Sequence, residues 1–232
     1  MARKQFFLIV DTETTITDKV MDFAAVICDR EGKIFNQCAI LVNETFGVDD
    51  LFYDNSQDSI WSRASVDRRM GNYNAMLDSG IRSLASVNAI NRWLDKAQSK
   101  YAPALTAYNL AFDLGKCANT GIDLSMFQNR FCLWAAAVGN ICHTKAYRQF
   151  CLDHHLFNNR TDRGNMTYST TAESVTGFLR GDLTDEPHTA LEDIIGYELP
   201  TLVHILQKKQ WRDKVVPYAW SKHQVNQHFV AK

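Results

Sequence analysis

Four acidic residues and one histidine carry the chemistry that this sequence makes available: Asp11, Glu13, Asp113, Asp193 and His188. Asp11 and Glu13 stand two residues apart, directly after the apolar run Phe6-Phe7-Leu8-Ile9-Val10. A run of that kind predicts a buried strand. On extended backbone, residues i and i+2 point to one face, so the two carboxylates converge where the strand ends. Like charges on the rim of an apolar sheet repel, and a cation relieves the repulsion. Hard oxygen ligands favour Mg²⁺ or Mn²⁺ over zinc. An acidic turn after a strand is the plainer alternative. Asp113 follows the short apolar stretch 104–108. His188 and Asp193 form an H-x4-D pair. Five residues on a helix span roughly 140° and about 7.5 Å. The spacing therefore predicts that Asp193 reaches a metal while His188, one turn earlier, reaches a group beyond it. A histidine at a helix start has no chemistry by itself.

The elements that must position these residues follow from the pattern around them. Residues 23–28 and 33–42 predict a second and third strand joined by the turn Asp29-Arg30-Glu31-Gly32, which makes an antiparallel meander with the first strand. Residues 43–59 read as an acidic loop, with Asp54 and Asp58 among its charges. About 60–77 reads as a helix carrying Trp61, Arg63, Arg68, Arg69 and Tyr73, either a solvated face or a face turned to nucleic acid. Over 83–101, Leu84, Val87, Ile90 and Leu94 recur at helical spacing. A strand is expected at 104–108 with a helix after it to about 119, then a further strand at 130–133. A helix over 134–156 is expected to break near Gly139-Asn140. Residues 169–173 resemble a helix cap, and 185–208 a long helix opened by Pro187.

Composition sets bounds. The chain has 232 residues, with 46% hydrophobic and 22% charged residues and a net charge of −1. This is the profile of a globular protein able to bury an ordinary core. No global positive field draws it to nucleic acid, so any such binding needs a local patch or bound metal. No segment has the length and apolarity of a membrane span, nor does the N-terminus read as a signal peptide; a cytoplasmic protein is expected. The six cysteines read as reduced thiols. Cys142, His143, Cys151, His154 and His155 form a cluster that could hold zinc, but they lack paired C-x-x-C half-sites and read as ordinary helix residues.

The three acidic boxes together are specific. Val10-Asp11-Thr12-Glu13-Thr14, Asn109-Leu110-Ala111-Phe112-Asp113 and His188 to Asp193 resemble, in order and spacing, the three exonuclease motifs of the DEDDh branch of the DEDD (DnaQ-like) superfamily. The resemblance covers about 5–207, with less typical stretches at 43–100 and 157–185. Ile16-Thr17 stands where the family has Gly-Leu. It implies one α/β exonuclease domain over 1–210, of ribonuclease H-like fold, with a five-stranded mixed sheet flanked by helices. A C-terminal tail, 211–232, would pack on the domain or at an interface. It implies two Mg²⁺ ions, with Mn²⁺ able to substitute. Asp11 would bridge both, Glu13 and Asp193 would hold the ion carrying the attacking water, and Asp113 would serve the second. His188 would be the general base. Neighbouring carboxylates are expected to favour its protonated form, so activity should rise into the alkaline range. Thr12, Thr14, Asn109 and Phe112 are expected to bind the terminal nucleotide, with core packing the equal alternative for Phe112, and Arg160 and Arg163 either contact phosphates or stand in a solvated loop. The implied activity is metal-dependent 3′→5′ hydrolysis of nucleic acid with a free 3′ end, DNA or RNA, preferably single-stranded, releasing nucleoside 5′-monophosphates. A homodimer or a polymerase partner fits the same family. Two alternatives stay open: a phosphodiesterase degrading short oligonucleotides, and an inactive nucleic-acid-binding module.

Overall fold

The computed structural model describes residues 4–53, 62–159 and 166–225. Trp61, Asp54, Asp58, Arg160 and Arg163 lie outside the described residues.

The first apolar run does become a central strand. β1 (Phe6–Thr14), β2 (Val20–Asp29) and β3 (Ile34–Val42) form the expected antiparallel meander. β4 (Ser83–Ala85) adds parallel to β3, and β5 (Ala104–Thr106) adds parallel to β1. The sheet is five-stranded and mixed, in the order β4-β3-β2-β1-β5. Its faces follow from the period of two along each strand. Phe7, Ile9, Ala24, Val26 and Cys28 face one helical layer, while Leu8, Val10, Phe23, Ala25 and Ile27 face the other. The second layer comprises α2 (Val87–Tyr101) and α3 (Leu110–Thr120). The first comprises α4 (Leu133–Ala137), α5 (Lys145–Asp153), α6 (Ala172–Arg180), α7 (Ala190–Asp193) and α8 (Leu199–Leu206). α1 (Arg63–Asp78) packs over the outer end of the meander through Val66 and Tyr73.

Several expectations need correction. The predicted helix over 83–101 starts later. Residues Ser83–Ala85 pair with Ile40–Val42, and the Asn43 amide donates to the Ala85 carbonyl. Ser86 then caps α2 by accepting from the Ala89 amide at 3.3 Å. The buried stripe of α2 is Ile90, Leu94 and Ala97, while Leu84 is 49% exposed. The expected strand at 130–133 forms only a bridge, Arg130 beside Leu105, before α4 begins. The fifth strand is therefore β4.

The two long C-terminal helices are both interrupted. A π-helical turn, Val138–Cys142, follows α4 at the Gly139-Asn140 break. Gly139 is required there, because a Cβ would lie 1.7 Å from the Lys214 carbonyl oxygen. The expected helix from 185 to 208 begins only at Ala190. Pro187 disfavours helix in the residue before it, and His188 takes a left-handed backbone, φ 55°. A second π turn, Ile194–Glu198, separates α7 from α8. In the tail, Trp211 packs on Phe131 and Tyr218 stacks on Trp134. No helix among the described residues is long and apolar enough to cross a membrane. All six cysteines are free.

Candidate active site

The parallel pairing of β1 with β5 brings the first two acidic boxes together. Ile9 lies opposite Thr106, so the chain leaving β5 turns into α3 beside Asp11 and Glu13. Asn109 takes a left-handed backbone, φ 72°, at that turn and exposes its side chain. Asp113, in the first turn of α3, is 2% exposed. The Thr12 hydroxyl donates to Asp113 Oδ1 at 2.9 Å. Thr12 and Thr14 are both buried, so the Thr12 side chain serves the carboxylate rather than standing open to a ligand. Phe112 is 43% exposed, with the Lys116 ammonium 4.8 Å from its ring centre.

Asp11, Glu13, Asn109, His188 and Asp193 line one cleft of about 340 Å³. Single ligand atoms of Glu13, His188 and Asp193 lie within 4.8 Å of one another. This corrects the helical geometry expected for the third box. His188 is not on the helix, and its left-handed backbone brings the imidazole to Asp193 rather than a turn beyond it. Cys142, His143, Cys151, His154 and His155 do not form a metal-ligand group; among the described residues that trio alone does. His143 instead stacks on His223 with ring centres 5.1 Å apart.

A buried ionic network that the sequence did not announce holds these residues. Arg69 of α1 is 2% exposed and points inward. Its Nη1 lies 3.2 Å from Glu13 Oε2, and its Nη2 donates to the Phe52 carbonyl at 3.1 Å. Asp22 of β2, opposite Glu13 in the sheet, is 0% exposed. It accepts from Arg82 Nε at 3.3 Å and from the Ala190 amide at 3.0 Å. Arg82 reaches on to Glu192, which also accepts from the Thr189 hydroxyl at 2.8 Å. The start of α7, and with it Asp193, is thus tied to the sheet through Asp22 and Arg82. Asp22 had a signal: an aspartate in an otherwise apolar strand needs a partner. Arg69 and Arg82 had none. The opposite wall carries Trp134, whose indole donates to Thr170 Oγ1 at 3.0 Å, and Tyr108, whose hydroxyl donates to the Thr170 carbonyl at 2.6 Å.

The electrostatics of the cleft are those of a site built for cations. Burial, together with Asp11 and Glu186, pushes Asp193 up to about 9. Burial pushes Asp11 up to about 7, against the Thr12 amide, with Asp22 adding to the rise. Burial and Asp11 raise Glu13 well above the usual range despite Arg69, and raise Asp113 likewise. Glu186, also in the cleft wall, rises to about 8 through burial and Asp11. Burial is the largest cause in each case, and at Glu13 the repulsion from Asp11 exceeds the pull of Arg69. Asp193 Oδ1 is buried with no hydrogen-bond partner among the described residues. Hard oxygens lining one cleft, that of Asp193 unsatisfied, fit Mg²⁺ or Mn²⁺. His188 behaves opposite to expectation. Burial lowers it first, Arg69 and Arg68 lower it further, and only Asp185 opposes. The nearby cations thus outweigh the carboxylates, and the imidazole stays neutral to lower pH.

No family model matches the chain, nor does any curated protein match it by sequence. Solved structures do. Escherichia coli exonuclease I in complex with a 5cy-dT13 oligonucleotide superimposes with a TM-score of 0.50 at 13% identity, covering 91% of this chain and 42% of that one. The zinc-bound form of the same enzyme with single-stranded DNA gives 0.49 at 13% identity, with the same coverage. The chain spans less than half the length of these neighbours. The likeness to the first is one of fold: a ribonuclease H-like mixed sheet of five strands flanked by helices.

Proposed function

We propose that this chain is a metal-dependent 3′→5′ exonuclease of the DEDDh type, acting on single-stranded nucleic-acid ends and releasing nucleoside 5′-monophosphates. The observation that carries this reading is the meeting of Glu13, His188 and Asp193 within 4.8 Å, in the same cleft as Asp11. Asp11, Glu13 and Asp193 would hold one Mg²⁺, and Asp11 with Asp113 a second. When bound, such a pair supplies charge neutralisation at the phosphoryl group and an acidified water. The chain's own residues do the rest. Neutral His188 takes the proton from the attacking water, a role open to it because burial and Arg69 favour its neutral form. Arg69 holds the Glu13 carboxylate in place, and the Thr12 hydroxyl holds Asp113. Asn109 lines the cleft where a terminal nucleotide would lie, and Phe112, three residues on, is exposed and open to stack on a base. The oligonucleotide in the exonuclease I complex makes single-stranded DNA the first substrate to try.

The test is digestion of matched DNA and RNA oligonucleotides, labelled at the 5′ end, with free or blocked 3′ ends, in Mg²⁺ and in Mn²⁺. A ladder shortening from the free 3′ end, absent in Asp11→Ala, is expected. Cleavage confined to very short oligonucleotides would move the reading to a phosphodiesterase. Binding without cleavage in either metal would leave a binding module and overturn the proposal.

A further inference from the structure

We infer that Glu198 belongs to the metal-holding set, as a fifth carboxylate of the cleft near Asp11 and Asp113; this rests on the function proposed above. No sequence motif marks Glu198. In an unbroken α-helix, a residue five positions after Asp193 would point roughly 140° away from it. Here the intervening turn, Ile194–Glu198, is π-helical. A π turn closes its hydrogen bonds five residues on, so positions i and i+5 come back to one face. The single extra residue returns Glu198 to the side of the helix that Asp193 occupies, and both line the cleft.

The side chain is built in rather than incidental. Glu198 is 3% exposed. Its Oε1 accepts from the Tyr108 amide at 3.0 Å, just before the turn that carries Asn109 and leads to Asp113. Its Oε2 is buried and has no hydrogen-bond partner among the described residues. After burial itself, Asp11 and Asp113 are the charges that act on it most. Pinning the Tyr108 amide uses one oxygen, and a glutamine would serve as well. The second oxygen has no such explanation. A buried carboxylate is costly without a counter-charge. Among the described ion pairs, Arg69 is given to Glu13 and Arg82 to Asp22 and Glu192, with no cation at Glu198. A bound metal ion would supply the partner that this second oxygen lacks.

Glu198→Gln separates these two roles, because it keeps an acceptor for the Tyr108 amide and removes the carboxylate. The experiment is a Mn²⁺ titration by calorimetry and by electron paramagnetic resonance on the full chain, beside Asp11→Ala, with melting in chelator as the control for folding. The wild type is expected to bind two Mn²⁺, and Glu198→Gln to bind one of the two at least tenfold less tightly. Its melting temperature in chelator should match that of the wild type, since glutamine keeps the acceptor for the Tyr108 amide. Unchanged affinities in Glu198→Gln, with Asp11→Ala impaired, overturn the role of Glu198 alone. A wild type that binds no Mn²⁺ overturns this inference and the proposed function together. If Glu198→Gln does not fold, Glu198→Asp gives the same readout. It keeps the charge but shortens its reach, and unchanged binding there overturns the inference too.

Discussion

Replacing Arg82 by methionine tests whether the buried ionic network holds the third acidic box. The Arg82 side chain is 0% exposed and lies between Asp22, also 0% exposed, and Glu192. Removing one partner of a buried pair leaves an uncompensated charge, at a cost of roughly 3–5 kcal/mol. In a chain of this size that lowers the melting temperature by roughly 6–20 °C. The cost should also depend on pH, with a sign fixed by Asp22. Burial already raises its carboxyl, and Arg82 is the largest influence holding it down. Without Arg82, Asp22 in the folded variant takes up a proton that the unfolded chain, above its ordinary carboxylate range, does not. Stability relative to wild type then recovers as pH falls, by about 1.4 kcal/mol per unit for one proton. From pH 7 to pH 5 the deficit should shrink by roughly 2–3 kcal/mol. Urea unfolding of both proteins at the two pH values measures this. The double variant Arg82→Met with Asp22→Asn, which keeps an acceptor for the Ala190 amide, should regain at least half the loss at pH 7. A deficit under about 1 kcal/mol, or one that does not change with pH, would refute the reasoning.

Other outcomes follow from the same electrostatics. In chelator, wild-type stability should fall as pH rises from 7 to 9, because folded Asp193 and Glu186, raised to about 9 and about 8, hold protons that the unfolded chain has released. Saturating Mg²⁺ should flatten that slope, and Asp193→Asn should reduce it in chelator; thermal melts across the range check both. His188→Gln should lower exonuclease turnover by roughly 10²–10⁴-fold while leaving the melting temperature near that of wild type. The acid limb of the wild-type rate profile should have its midpoint below 6.5, since burial and Arg69 lower His188; a midpoint above 7 sinks the assignment of that limb to a buried histidine. Arg69→Met should destabilise the metal-free protein by roughly 3 kcal/mol through unpaired Glu13. That loss should narrow when Mn²⁺ is added, as measured by urea unfolding with and without the ion.

Much of the frame was legible in the sequence because it rests on local pattern. The apolar run before Asp11 and the glycine turn at Asp29–Gly32 specify a meander without outside help, and Gly32 does take φ 83°. What failed had non-local causes. Residues Ser83–Ala85 are strand because β3 offers an open edge beside them, and nothing in their own spacing says so. His188 leaves the helix because of backbone geometry after Pro187, which a five-residue count cannot register. The acidic boxes could be read because their types are rare together. Their supports could not, since Arg69 and Arg82 look like any other arginines near helix α1 until the fold buries them.

The π turn between α7 and α8 bears on how this chain can change length. Four residues carry Asp193 toward the cleft, and eight more set Leu202, Ile205 and Leu206 into the core. Those two tasks require different rotations about what is nearly one axis, and the surplus residue in Ile194–Glu198 is the phase adjustment between them. Deleting any one residue there would leave a regular helix with its backbone hydrogen bonds intact. It would also turn one half against the other by about 100°. Either the core stripe or the carboxylates would then face the wrong way. A segment that looks from its hydrogen bonds like a defect is therefore among the places where the chain is least free to lose a residue.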